Sequence, residues 1–309
     1  MGIKRYVANS DTTITNAFKS NLTTRGTGSN MGRADSMEIF SIYGQADSGS
    51  VELSRALVAF PVSTMTTDRA NGDLPNSGSV SFFLRMFNAV TPFTVPRNFT
   101  LAINAVSGAA TSNSIDFIWQ EGNGIDMENY TDVTRNGEGA NWINLGSSSV
   151  DGVVKWGISG NAVGGTYFND ASSSFTQTFD NGTEDLEVDI TPLVEQWLNS
   201  AGNVLGSKNN YGIGVHLTSS QEGFVAAADA TTDVPANVGG SKRSYYTKKF
   251  FARSSEYFFK RPVIEARWDS SKKDDRGNFF YSSSLATGDE NLNTLFLYNY
   301  FRGQLRNIP

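Results

Sequence analysis

Between Val80 and Phe87 the chain alternates, with Val80, Phe82, Leu84 and Met86 on one face and Ser81, Phe83, Arg85 and Phe87 on the other. This alternation predicts a strand. Phenylalanine on both sides further predicts that the second face is covered, by a loop or by a neighbouring subunit. Similar patterns bounded by Gly, Pro, Asn and Ser predict strands over 37–43, 51–62, 98–106, 115–119, 174–179, 185–190, 211–217, 244–252 and 262–268, and a first strand with its turn over 5–14. One stretch has helical spacing instead. Leu193, Val194, Trp197 and Leu198 share a helical face, Thr191 is placed to cap it, and Pro192 suits the first turn. Asn199, Ser200 and Gly202 stop it. The expectation is one short helix near 191–199, a lid over the open end of a β-sandwich with Trp197 as its plug.

Elsewhere the pattern fades. Residues 63–78 are rich in Thr, Asp, Asn and Gly and predict a loop, as does 221–242. Residues 120–182 hold Trp142 and Trp156 with little periodicity, and an excursion of that length is either functional or conceals short strands. The charged turn KKDDRG at 272–277 marks a boundary between a main domain, 1–270, and a segment, 271–309, with strand patterns at 279–283 and 293–305. That segment is too short to bury a core of its own, so it is a β extension or the start of a second β domain. The expectation is therefore that these 309 residues form the N-terminal part of a longer protein.

The order of several motifs resembles a known family. DITPLVEQW at 189–197, NYGI at 210–213, SRALVAF at 54–60, and FFARSSE at 250–256 followed by RPVIEARW at 261–268 together resemble the DNRLRE-type domain, a jelly-roll sandwich of cell-surface and phage proteins. WQEGNGIDMENYTD at 119–132 with ANW at 140–142 is similar to the form found in structural proteins of tailed phages, including phages of marine cyanobacteria. The resemblance runs from about residue 7 to 268, and the chain departs from the compact pattern in the length of 120–182. It implies an all-β, jelly-roll-type sandwich that is a structural component of a virion (tail, neck or head surface), assembled in the bacterial cytoplasm from copies of itself and other virion proteins. Some similar jelly rolls are carbohydrate-binding modules, which implies the alternative of an adhesin recognising a host surface glycan.

Composition narrows the classes. A net charge of −6 lacks the basic footprint of a nucleic-acid binder. No run is long and apolar enough to suggest membrane insertion, and there is no cysteine for disulfides or thiolate metal sites. A triad hydrolase needs a base, and the one histidine, His216, falls on the strand face opposite Ile213, Val215 and Leu217. No catalytic residue is assigned, and the expectation is a non-enzyme without a required cofactor. Glu121, Asp126, Glu128 and Asp132 form an acidic loop with three readings: solvated, a Ca²⁺ site, or, through Glu121 and Asp126, the carboxylates of a polysaccharide-cleaving enzyme. Trp142, Trp156, Tyr130 and Tyr167 are candidates to stack on sugar rings. The basic-aromatic run 242–261, with Lys248 and Lys249, is a protected edge strand, a stacking surface for bases or sugars, or a contact for an acidic partner. The fragment expectation predicts that the native protein exceeds 33.5 kDa by intact mass; a native mass of that value would end it.

Overall fold

In the computed structural model the described residues are 2–42, 51–91, 95–107, 118–125, 139–148, 152–157, 162–228, 233–270, 287 and 298–306. The chain divides into two compact units, Gly2–Trp268 and Asp269–Pro309. The first is an all-β sandwich of jelly-roll type. One sheet has four strands in the order β1 (Gly2–Val7), β13 (Val263–Trp268), β5 (Val80–Met86), β10 (Leu186–Asp189). The other has seven: β12 (Tyr245–Phe251), β3 (Ser36–Ile42), β4 (Glu52–Ala59), β11 (Ile213–Leu217), β6 (Phe99–Ala105) and β9 (Ser174–Phe179), with β2 (Ser10–Thr15) also paired to β4. All these pairings are antiparallel. The segment 5–14, read as a first strand with its turn, is thus β1, a turn through Ala8 and Asn9, and the start of β2 in the other sheet.

The inward residues of β5, Val80, Phe82, Leu84 and Met86, meet Ile103, Phe179, Val215 and Phe250 of the other sheet in one core. The outer face of β5 carries a layer of charge. Arg5, Arg85 and Arg267 share the Glu265 carboxylate, Arg85 and Arg267 also reach Glu187, and the Arg267 guanidinium lies 4.2 Å from the Phe83 ring centre. The strand with both faces in apolar surroundings is β4. Ala56 and Val58 join the inter-sheet core, whereas Leu53, Leu57 and Ala59 join a second core with Trp119, Trp142, Leu145, Val154 and Trp156. The long excursion therefore does conceal short strands, β7 (Asn144–Ser148) and β8 (Gly152–Lys155), and they pack on the back of β4.

A charged side chain shares that second core. Arg55 is 9 % exposed and donates to Glu222 at 3.0 and 3.2 Å and to the Gly164 carbonyl at 2.7 Å. Its guanidinium also faces the Trp142 and Tyr167 rings at 5.4 and 5.8 Å. A buried cation is tolerable only when paired and hydrogen-bonded, and this one is.

The helical lid is present as α2 (Thr191–Leu198), with Leu193, Val194, Trp197 and Leu198 all in the inter-sheet core. Thr191 is not its cap. It is the first helical residue, and its hydroxyl donates to Asp189 and accepts the Phe82 N–H, tying the helix start to β5. A second helix, α1 (Val62–Ala70), falls where the pattern predicts a loop, because its Ser, Thr and Asp are poor helix formers and only Met65 and Arg69 are buried. Tertiary contact overrides that preference: Arg69 holds Glu195 of α2 through two 2.7 Å hydrogen bonds.

The second unit contributes a hairpin, β14 (Asn299–Phe301) and β15 (Gln304–Arg306), turned by Arg302 and Gly303 at φ 53° and 75°. The predicted strand at 293–305 is this hairpin over its described part. The predicted strand at 279–283 lies outside the described residues, as does most of the one at 115–119.

Removing one partner of the buried pair leaves an uncompensated charge. Glu222→Gln is expected to cost about 3–5 kcal/mol in urea unfolding, and Arg55→Met with Glu222→Met to recover at least half of that loss. A loss near zero for Glu222→Gln would show that the pair does not hold the second core.

Candidate functional site

The sequence-predicted residues are dispersed, and most are already occupied. Asp126, Glu128, Asp132 and Tyr130 lie outside the described residues. Glu121 accepts from Arg253 Nη2 at 2.7 and 2.8 Å, from its Nε at 3.0 Å and from the Asp11 N–H at 2.9 Å. A Ca²⁺ ion would have to displace the guanidinium, so Glu121 as placed does not fit a hard-cation ligand. Among the described residues no cluster of three or more metal-ligating side chains forms.

Trp142 and Trp156 are fully buried, with their indole N–H groups donating to the carbonyls of Asp233 and Asn141 at 2.7 and 2.8 Å. Neither presents a face to a sugar. Tyr167 donates its hydroxyl to Gly164 at 3.0 Å and lies over His216, ring centres 5.0 Å apart. Gly214 permits this: a Cβ there would sit 2.0 Å from the Tyr167 ring. His216 is thus on the expected face, but that face is roofed. Burial first, and the nearby Arg55 cation second, push its pKa down to about 4.

Lys248 is 2 % exposed and points inward, donating to Asn88 Oδ1 and to the carbonyls of Gly182 and Glu184 at 2.7, 2.9 and 2.6 Å. Burial pushes its pKa down to about 8. It is a clamp inside the sandwich rather than a contact residue. Lys249 is half-buried and pairs with Glu38 at 2.7 Å.

What the described surface does offer lies at the end of the basic-aromatic run. A 3-10 turn, Phe258–Lys260, presents Phe258 and Phe259, which are 57 % and 85 % exposed. The turn is stiff. Lys260 N–H donates to Tyr257 O at 2.8 Å, Arg261 donates twice to the Ser255 carbonyl, and its guanidinium sits 5.3 Å from the Phe258 ring centre. Beside it opens a groove of about 440 Å³ whose walls include Asp35, Val90, Phe251, Glu256, Tyr257 and Lys260. The run read in the sequence, 242–261, includes both Lys248 and this turn. It did not distinguish inward Lys248 from outward Phe258 and Phe259, because the turn after Ser255 breaks the strand alternation on which such a distinction rests.

Comparison with protein-family models and with curated proteins finds no match to this chain.

Two buried titratable groups set an acid–base balance. Asp11 is almost fully buried, and burial pushes its carboxyl up to about 7, with the Arg253 N–H opposing and the Glu121 charge adding. Its fold therefore favours the neutral acid: the contribution is complete below pH 3.8 and is lost as pH rises to about 7. His216 acts oppositely: its contribution is complete above pH 6.5 and is lost as pH falls to about 4. Relative to wild type, Asp11→Asn is expected to gain stability progressively from pH 4 to pH 7. His216→Gln should gain it progressively from pH 6.5 down to pH 4, and thermal unfolding by circular dichroism across that range reads both. Differences that stay constant with pH would contradict the assignment.

Proposed function

We propose that this chain is a non-enzymatic structural component of a tailed-phage virion, placed in the tail, neck or head surface and assembled in the bacterial cytoplasm. It works by docking to copies of itself and to other virion proteins. The order of motifs resembling that of DNRLRE-type phage proteins, from about residue 7 to 268, supports the class. The observation that carries the mode of action is the Phe258–Phe259 knuckle. Two large aromatic side chains stand out from a stiff turn at high exposure, which costs solubility in an isolated molecule and pays only when a partner covers them.

Charge supports a copy of the same chain as one partner. Lys260 lies in the turn and the Arg261 guanidinium against the Phe258 ring, while the chain as a whole carries −6. A basic aromatic knob on an acidic body suits a heterologous contact with the next copy. The buried arrangement of His216 and the pairing of Glu121 with Arg253 agree with a role that needs no chemistry of its own.

Size-exclusion chromatography with light scattering tests this reading. Wild type is expected to run as a discrete oligomer at micromolar concentration, and Phe258→Asp with Phe259→Asp as a 33.5 kDa monomer, with Tm changed by no more than about 2 °C. A wild-type monomer, or an oligomer indifferent to the double substitution, would overturn it.

A further inference from the structure

The buried positions of β12 are Lys248 and Phe250, and a strand rarely aims a lysine into a core. The surroundings of this one are specific. Its ammonium lies 4.8 and 5.1 Å from the ring centres of Phe179 and Phe250, both fully buried, and 2.7 Å from Oδ1 of Asn88. Its other two acceptors are the Gly182 and Glu184 carbonyls, so all three hydrogen bonds go to neutral oxygens. We infer that Lys248 and Asn88 become joined by an amide bond between their side chains, Nζ condensing with Cγ and releasing ammonia. Its formation does not depend on how copies of the chain assemble.

The two groups are already held together. A carbonyl carbon lies about 1.23 Å from its oxygen, so Nζ is within about 4 Å of the Asn88 Cγ. Reacting atoms meet at about 3–3.5 Å, a small shift away. Backbone pairing fixes both ends: Asn88 and Phe250 form an antiparallel bridge, Ala89 N–H donates to Lys249 O at 2.9 Å, and Phe251 N–H to Phe87 O at 3.0 Å. The Asn88 N–H also donates to Asp185 Oδ1 at 2.8 Å. Holding amine and amide in this way replaces a bimolecular encounter with an intramolecular one.

An ammonium has no lone pair, so the reaction needs the neutral amine. Burial pulls the Lys248 pKa down to about 8 against the opposing Glu184 and Asp185 charges, which leaves about one molecule in ten with the free amine at pH 7. Its lone pair attacks Cγ and the carbonyl pair moves to Oδ1. When the carbonyl re-forms, the Cγ–Nδ2 bond breaks. The proton that Nζ gives up ends on Nδ2, which leaves as ammonia, and no oxidant or cofactor enters. Of the two carboxylates that act on Lys248, Glu184 does so more strongly, and its Oε2 is buried with no hydrogen-bond partner among the described residues. Glu184 is the relay for that proton.

The bond has a mechanical consequence. Asn88 follows β5 of the four-stranded sheet, while β12 is the end strand of the seven-stranded one. The bond ties the two sheets at this edge and bridges residues 160 apart, constraining the unfolded chain as a disulfide does in a protein that has no cysteine.

Intact mass and tryptic peptide mapping by tandem mass spectrometry on the full chain test this. Wild type is expected to be lighter by one ammonia than its sequence requires, with a branched peptide joining Lys248 to Asn88 and no cleavage after Lys248. Cyclisation at an Asn-Gly step such as Asn181–Gly182 also releases ammonia, so the branched peptide decides rather than the mass alone. Lys248→Arg and Asn88→Ser should each abolish it. Glu184→Gln, folded by circular dichroism, should leave most of the chain unlinked, and Glu184→Asp should restore linking. A wild-type map in which Lys248 and Asn88 appear only in separate, unmodified peptides would overturn the inference, and it does so without any variant that must fold. Linking in Glu184→Gln as complete as in wild type would overturn the role of Glu184.

Discussion

A strand that is buried on both faces must be matched by two separate apolar surfaces, and β4 imposes that demand on the whole first unit. Alternate residues of Glu52–Ala59 point into opposite cores, so the inter-sheet packing and the packing of the long excursion are two sides of the same backbone. Three strands, β2, β3 and β11, pair with it. A shift of one residue in its register would exchange Ala56 and Val58 for Arg55 and Leu57 and put a guanidinium between the sheets. Register here is set by a cost of several kcal/mol rather than by turn geometry.

The second core accounts for the length of the excursion. Three indoles, from Trp119, Trp142 and Trp156, need a wide lid, and its backbone polar groups must be satisfied from within. Asn30 shows how. Its amide donates to the Glu121 and Ala140 carbonyls at 2.8 and 2.9 Å and accepts from the Gly32 and Gly124 N–H groups at 3.1 and 3.0 Å. Gly122 leaves room for that amide, since a Cβ there would lie 2.3 Å from its oxygen. The glycines that could suggest a ligand loop are thus packed around an asparagine. With the described part of the excursion engaged in this way, Phe258 and Phe259 stand among the large apolar side chains that remain exposed.

The strands were legible because their alternation is local. The edges of β3, β5, β6 and β9–β13 lie within a few residues of the expected ones, and the apolar face of α2 is the expected face. What was not legible depends on distant partners. Helix α1 exists because Arg69 meets Glu195, a pairing across more than a hundred residues that no local pattern carries. Trp142 and Trp156 looked like sugar platforms because a tryptophan in a polar stretch has the same local signature whether it is roofed or open. Their burial follows from the outward face of β4, on which Leu53 and Leu57 were visible but Arg55 between them concealed the apolar stripe. The groove draws Asp35, Val90 and Tyr257 from three separate connections, so nothing in any one of them announces it.

The central proposal is that the described part of the excursion is core and that the Phe258–Phe259 turn is the surface through which the chain docks. Hydrogen exchange, read by mass spectrometry on the chain when dilute and when self-associated, addresses both halves at once. Slow exchange at 140–148 and 152–156 in the dilute chain, comparable with β4, and new protection on association confined to the region of 255–261, is the result this account predicts. Rapid exchange around Trp142 and Trp156 when dilute, with protection gained there on association, would contradict it and return the function to the long excursion.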